Sequence, residues 1–91
     1  MITALCFIHV APESINDAGR SIADIEGVRA AYSVTGDIDL IALIEVPNHE
    51  AVATVVTDGI SKVPGVLDTQ THISFRTYAP RDVEAGFSIG S

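Results

Sequence analysis

The stretch EGVRAAYSVTGDIDLIALIEV, from Glu26 to Val46, decides the architecture. Val28 to Val34 alternates Val28, Ala30, Tyr32 and Val34 against Arg29, Ala31 and Ser33, the two-residue period of a half-buried strand. Thr35-Gly36-Asp37 supplies turn chemistry. Asp39 to Val46 is then a nearly continuous apolar run, as expected of a central strand covered on both faces.

The pattern continues on either side. Before it, Ile2 to Val10 is apolar and β-branched and stops at Ala11-Pro12, where a proline cannot extend a ladder. From Glu13 to Ile25, Ile15, Ala18, Ile22 and Ile25 recur every three to four residues, which predicts a helix ending near Gly27. After it, Pro47-Asn48 ends the strand and Asn48 can cap a second helix from about His49 to Lys62. Val52, Val55, Val56, Ile60 and Val63 form its core face, with Gly59 weakening the last turn by about 1 kcal/mol relative to Ala. Leu67 to Tyr78 alternates as a long fourth strand. Each helix passes to the next strand through a Gly-Val step, Gly27-Val28 and Gly65-Val66, as if one β-α-β unit were duplicated. Right-handed crossovers favour an α+β, ferredoxin-like β-α-β-β-α-β fold. Its four-stranded antiparallel sheet has strands one and three in the middle and two helices on one face.

Composition sets the limits. Ninety-one residues, 47% of them hydrophobic and 19% charged, suffice for one modest core and exclude a second. Two helices cover only one face of the sheet, yet strand one offers Ile2, Ala4, Cys6, Ile8 and Val10 on one side and Leu5 and Phe7 on the other, and strand three offers Leu40, Ala42 and Ile44 against Ile41 and Leu43. A monomer would leave one of these apolar faces in water, so a dimer packed sheet to sheet is expected. The formal net charge of −7, with Arg20, Arg29, Lys62, Arg76 and Arg81 scattered, offers no cluster for a row of phosphates, and direct nucleic-acid binding is not expected. One cysteine cannot staple the fold, no apolar run reaches the roughly 20 residues of a membrane span, and no signal-peptide pattern opens the chain. A soluble, cytoplasmic protein is the expectation.

Thr35-Gly36-Asp37-Ile38-Asp39 is the most specific stretch. A glycine turn can present backbone N–H groups to a carboxylate while an aspartate accepts from an ammonium, which together recognise a zwitterion such as an amino acid. From spacing alone, a plain strand-to-strand turn is the weightier reading.

Here the sequence resembles the effector-binding (RAM) domain of the Lrp/AsnC transcriptional regulators. The likeness runs from about Ile2 to Tyr78. Val34-Thr35-Gly36-Asp37-Ile38-Asp39-Leu40 ahead of an apolar strand carries it, with Pro64-Gly65-Val66 ahead of Thr69-Gln70-Thr71. The resemblance implies dimers joined through their sheets and assembled into rings, commonly octamers, with an amino-acid effector in clefts between dimers. Carried over by position, Val34, Thr35, Gly36, Asp37, Ile38 and Asp39 surround the ligand's backbone groups, and Thr69, Gln70 and Thr71 contribute from the last strand of the same or the facing dimer. Regulators of this family also carry an N-terminal helix-turn-helix domain, whereas this sequence opens on the first strand. The expectation is therefore a stand-alone RAM protein that joins rings with a full-length Lrp/AsnC regulator, or senses or buffers amino acids by itself.

Other chemistry has less support. His9, His72, Asp68 and Cys6 could meet on neighbouring strands, but Cys6 and His9 have opposite parity and no short metal-ligand spacing exists, so no metal or other cofactor is expected. Cys6, between Leu5 and Phe7, reads as a buried inert thiol. No carboxylate pair, Ser/His/Asp set or phosphate loop is present, so no catalytic residue is assigned. The rival readings are a small dimeric α+β barrel enzyme using Tyr32, His9 or His72 as acid or base, and an ACT-like regulatory module. The domain is expected to span residues 1–78. The tail, 79–91, is expected to dock on a neighbouring subunit through Phe87 and Ile89.

Overall fold

The apolar runs Ile2–Val10 (β1) and Leu40–Val46 (β3) pair antiparallel along their lengths, from Ile2 opposite Val46 to Ile8 opposite Leu40. The computed structural model, which describes residues 1–80, places them at the centre of a four-stranded sheet. Val28–Ser33 (β2) flanks β3 and Val66–Ile73 (β4) flanks β1, both antiparallel, giving the order β2-β3-β1-β4. This is the ferredoxin-like α+β arrangement expected from the order of elements. The expected tail contacts fall at residues 81–91, outside the described residues.

Alternation places Ala4, Cys6, Ile8 and Val10 of β1, and Leu40, Ala42, Ile44 and Val46 of β3, on one face. Helices cover it. A 3-10 turn, Pro12–Ser14, leads into α1, Ile15–Ala23, which buries Ala18 and Ile22. The expected helix from Glu13 to Ile25 thus begins as a tighter turn and closes at Asp24. Asn48 caps α2, His49–Ala53, by accepting from the Ala51 N–H at 2.8 Å.

The second helix departs from the α-helix expected through Lys62. After Ala53 it widens to a π-helix, Thr54–Gly59, and tightens to a 3-10 turn, Ile60–Lys62. The buried residues explain the widening: Val55 and Ile60 are five apart, and a turn closed by i to i+5 hydrogen bonds brings both onto the core side. Gly59 packs with its bare Cα against Ile25, where a Cβ would lie 3.2 Å from Ile25 Cγ2. The glycine that weakens the helix lets α1's trailing turn come close.

Two further expectations are corrected. Val28 opposes Ile44 and Ala30 opposes Leu43, so Arg29 is an extra residue in β2 and its alternation shifts. Val28 and Ala31 face the core, while Ala30 and Tyr32 face away; a strict period of two would group Val28 with Tyr32. Arg29 donates to Glu45 at 2.5 Å across this bulge. β4 ends at Ile73 rather than Tyr78, because Ile73 already opposes Ala4 near the start of β1. One more bond, Ser74 N–H to Thr3 carbonyl at 2.8 Å, follows. Beyond it, Phe75 and Tyr78 are exposed.

The uncovered face carries Leu5 opposite Leu43 and Phe7 opposite Ile41, with Tyr32 beside Ile41. Leu5 is 38% and Tyr32 48% exposed. Phe7 stacks at a tilt on His72, ring centroids 5.1 Å apart.

Candidate functional site

The segment between β2 and β3 turns at the end of the sheet where β1 finishes and β4 begins. Gly36 has φ +107°, and a Cβ built on it would meet nothing within 4 Å, so the glycine serves the backbone conformation and not a tight fit. The loop closes on itself through Val34 N–H to Asp39 carbonyl at 3.1 Å. It is tied to β1 twice by Asp39, whose N–H donates to the Ile8 carbonyl at 3.0 Å and whose Oδ2 accepts from Val10 N–H at 2.9 Å.

A third tie comes from His9. Its Nε2 donates to the Asp37 carbonyl at 2.7 Å, and its Nδ1 lies 2.5 Å from Asp68 Oδ1 on β4. The Asp68 carboxylate raises the His9 pKa above its ordinary 6.5, helped by the Asp37 carbonyl and the charge of Asp39 against some desolvation. Sequence alone suggests His9 only as a metal ligand or as an acid or base. The signal for this arrangement is the strand pairing that sets His9 opposite Asp68, which no local motif announces.

The nine residues expected at the ligand divide. Thr35, Gly36 and Asp37 are exposed, and Val34, Ile38 and Asp39 half-buried. The N–H groups of Thr35, Gly36, Asp37 and Ile38 and the Asp37 carboxylate are bonded to no other described residue. Asp39, by contrast, has one carboxylate oxygen committed to β1. On β4, Thr69 opposes Ile8 and Thr71 opposes Cys6, on the helix-covered face, while Gln70 opposes Phe7 on the open face. Within one chain the loop, Gln70 and the two threonines therefore do not share a surface. Thr71 Oγ1 donates to Cys6 Sγ at 3.5 Å. Burial pushes the Cys6 thiol up, the Thr71 hydroxyl partly opposing this, so Cys6 is a poor nucleophile.

A separate cleft of about 650 Å³ opens where the α1–β2 turn meets α2, lined by Gly27, Glu45, Pro47, Asn48, Ala51 and Asp58 among others. The rival enzyme reading takes Tyr32, His9 or His72 as its acid or base in such a pocket. His9 and His72 lie on the open sheet face with Tyr32, away from this cleft. Among the described residues no group of three or more His, Cys, Asp or Glu is placed to hold a metal ion, and no helix is long and apolar enough to cross a membrane.

Comparison with known proteins gives this geometry a family. Residues 3–83 match the Lrp/AsnC ligand binding domain. The HTH-type transcriptional regulator LrpA1 of Halobacterium salinarum is 33% identical over 72 residues, 79% of this chain and 49% of its own. The chain spans about half the length of the curated relatives it matches. TTHA0845 from Thermus thermophilus superposes with a TM-score of 0.83 at 39% identity, covering 88% of this chain and 100% of that one. The feast or famine regulatory protein of M. tuberculosis, solved in complex with L-methionine, shares the fold at a TM-score of 0.74 and 24% identity, over 89% of this chain and 54% of that one. With the glycine loop, the sheet order and the matched span in agreement, the chain belongs to the Lrp/AsnC ligand-binding domain family.

Proposed function

We propose that this domain binds a free amino acid at the Val34–Asp39 loop and works as an oligomer built through the open sheet face. The observation that carries the reading is the loop itself. It is pinned at both ends and turned by Gly36, and it leaves backbone N–H groups for a carboxylate beside an uncommitted Asp37 carboxylate for an ammonium. Gln70, Thr69 and Thr71 lie on two faces of β4, so they reach a common ligand only where subunits meet. Assembly would thus complete the site.

The apolar face of Leu5, Phe7, Ile41, Leu43 and Tyr32 supports pairing of two copies sheet to sheet. Dimers so formed assemble further into a ring of eight or a similar number, to which residues 79–91 contribute by docking on a neighbour. The same face would admit a full-length regulator of the family, which makes modulation of such a regulator the biological role. The protein acts in the cytoplasm without catalysis.

Light scattering on the intact chain, together with a thermal-shift screen of the twenty amino acids, tests both halves. A species larger than a dimer that converts to smaller ones on Leu43→Glu is expected, as is stabilisation by at least one amino acid that Asp37→Ala abolishes. A 9.6 kDa monomer, or stabilisation that survives both Asp37→Ala and Thr71→Ala, would place the interface or the site elsewhere.

A further inference from the structure

The His9 side chain bonds two groups that both accept. The Asp37 carbonyl oxygen has no proton to give, and neither has an ionised Asp68 carboxylate, so both ring nitrogens must carry hydrogens for both contacts to hold. That is the imidazolium form. A neutral ring keeps one N–H. If Nε2 holds it, the Nδ1 lone pair faces the Asp68 carboxylate; if Nδ1 holds it, the tie to Asp37 is lost. Losing one proton therefore breaks one end of the link between the loop and β4.

We infer that His9, held by Asp68, is a positioning residue for the effector loop, and that its protonation couples loop order, and with it amino-acid affinity, to pH. This rests on the reading of the loop as the effector site. The groups that act on the ring are the Asp68 carboxylate on β4 and, in the loop, the Asp37 backbone carbonyl and the charge of Asp39. On the same face β1 and β3 offer Phe7 and Ile41, which carry no charge, and His72 of β4 packs on Phe7. The two carboxylates and the Asp37 carbonyl thus each favour the proton on His9. The sign follows. With its folded-state pKa above 6.5, His9 contributes fully below that value, and the contribution is lost as pH rises through the higher folded value. Binding of an effector to the ordered loop must, by linkage, take up a proton in that window.

The test follows the loop directly. In an NMR titration from about pH 5.5 to 9, the amides of Gly36 to Asp39 should shift with the His9 ring at a midpoint above 6.5. The shift should vanish in His9→Gln and move to lower pH in Asp68→Asn. In parallel, L-methionine affinity should fall about two- to fivefold across the transition, the scale of an exposed charge pair, and stay flat in His9→Gln. Loop amides that ignore the His9 titration, a His9 midpoint at or below 6.5, or methionine affinity that is unchanged while the loop titrates would each overturn the coupling. If methionine and the other amino acids bind at no pH while the loop amides still follow His9, the effector reading fails and the positioning role of His9 stands.

Discussion

Two glycines with the same backbone sign should respond differently to the same substitution. Gly36 has φ +107° and Gly65 φ +94°, so alanine at either site incurs the left-handed cost of about 1–2 kcal/mol. Their surroundings differ. A Cβ on Gly36 enters open space, whereas one on Gly65 would lie 2.3 Å from Ser14 Cβ and 2.6 Å from Ser14 Oγ. Ser14 cannot swing aside, because its Cβ is fixed to backbone held by the Ser14 N–H to Ala11 carbonyl bond, and Ala11 N–H in turn bonds the Gly65 carbonyl at 2.9 Å. The junction must open, adding an overpacking cost of about 1–3 kcal/mol. Gly65→Ala is therefore expected to destabilise by about 2–5 kcal/mol in total and Gly36→Ala by about 1–2 kcal/mol. At about 4–8 °C per kcal/mol for a domain of this size, the midpoints should separate by several degrees or more. Urea and thermal unfolding at one fixed protomer concentration would measure this, since assembly makes both midpoints concentration-dependent. Effector binding should rank the other way, with Gly36→Ala impairing amino-acid binding at modest stability cost and Gly65→Ala sparing the loop. A Gly36→Ala variant as unstable as Gly65→Ala would refute the packing account.

Three further outcomes follow. Ile8, fully buried on β1 beneath the helices, should cost about 2–5 kcal/mol when truncated to alanine, read by chemical denaturation. Asn48→Ala removes the side-chain cap on Ala51 N–H and should cost about 1 kcal/mol, with exchange of the Ala51 amide accelerated in hydrogen-exchange experiments. Cys6, buried and raised in pKa, should react with a thiol reagent only after unfolding; rapid labelling of the native protein at neutral pH would contradict its placement.

Much of this molecule is legible locally. The apolar runs Ile2–Val10 and Leu40–Val46, the three- to four-residue spacing of Ile15, Ala18 and Ile22, and the breaks at Pro12, Pro47 and Pro64 lead to the order of elements and the central pair of strands. Each is a statement about near neighbours along the chain. Thr35-Gly36-Asp37 likewise announces its turn, and Gly36 does adopt the positive φ that a turn there requires.

What the pattern could not show depends on partners far away in sequence. Arg29 bulges out of β2 because its neighbours pair with Ile44 and Leu43. The second helix widens because Val55 and Ile60 must both reach the core, and β4 stops where β1 has no more residues to offer. At the site, alternation along β4 already separates Thr69 and Thr71 from Gln70, but only the pairing with β1 decides which of the two sides the helices cover. The pairing of His9 with Asp68 spans 59 positions. Periodicity reports which face a residue prefers; only the register between strands decides which charge stands opposite which ring, and in this protein that register puts Asp68 beside the histidine that is tied to the loop.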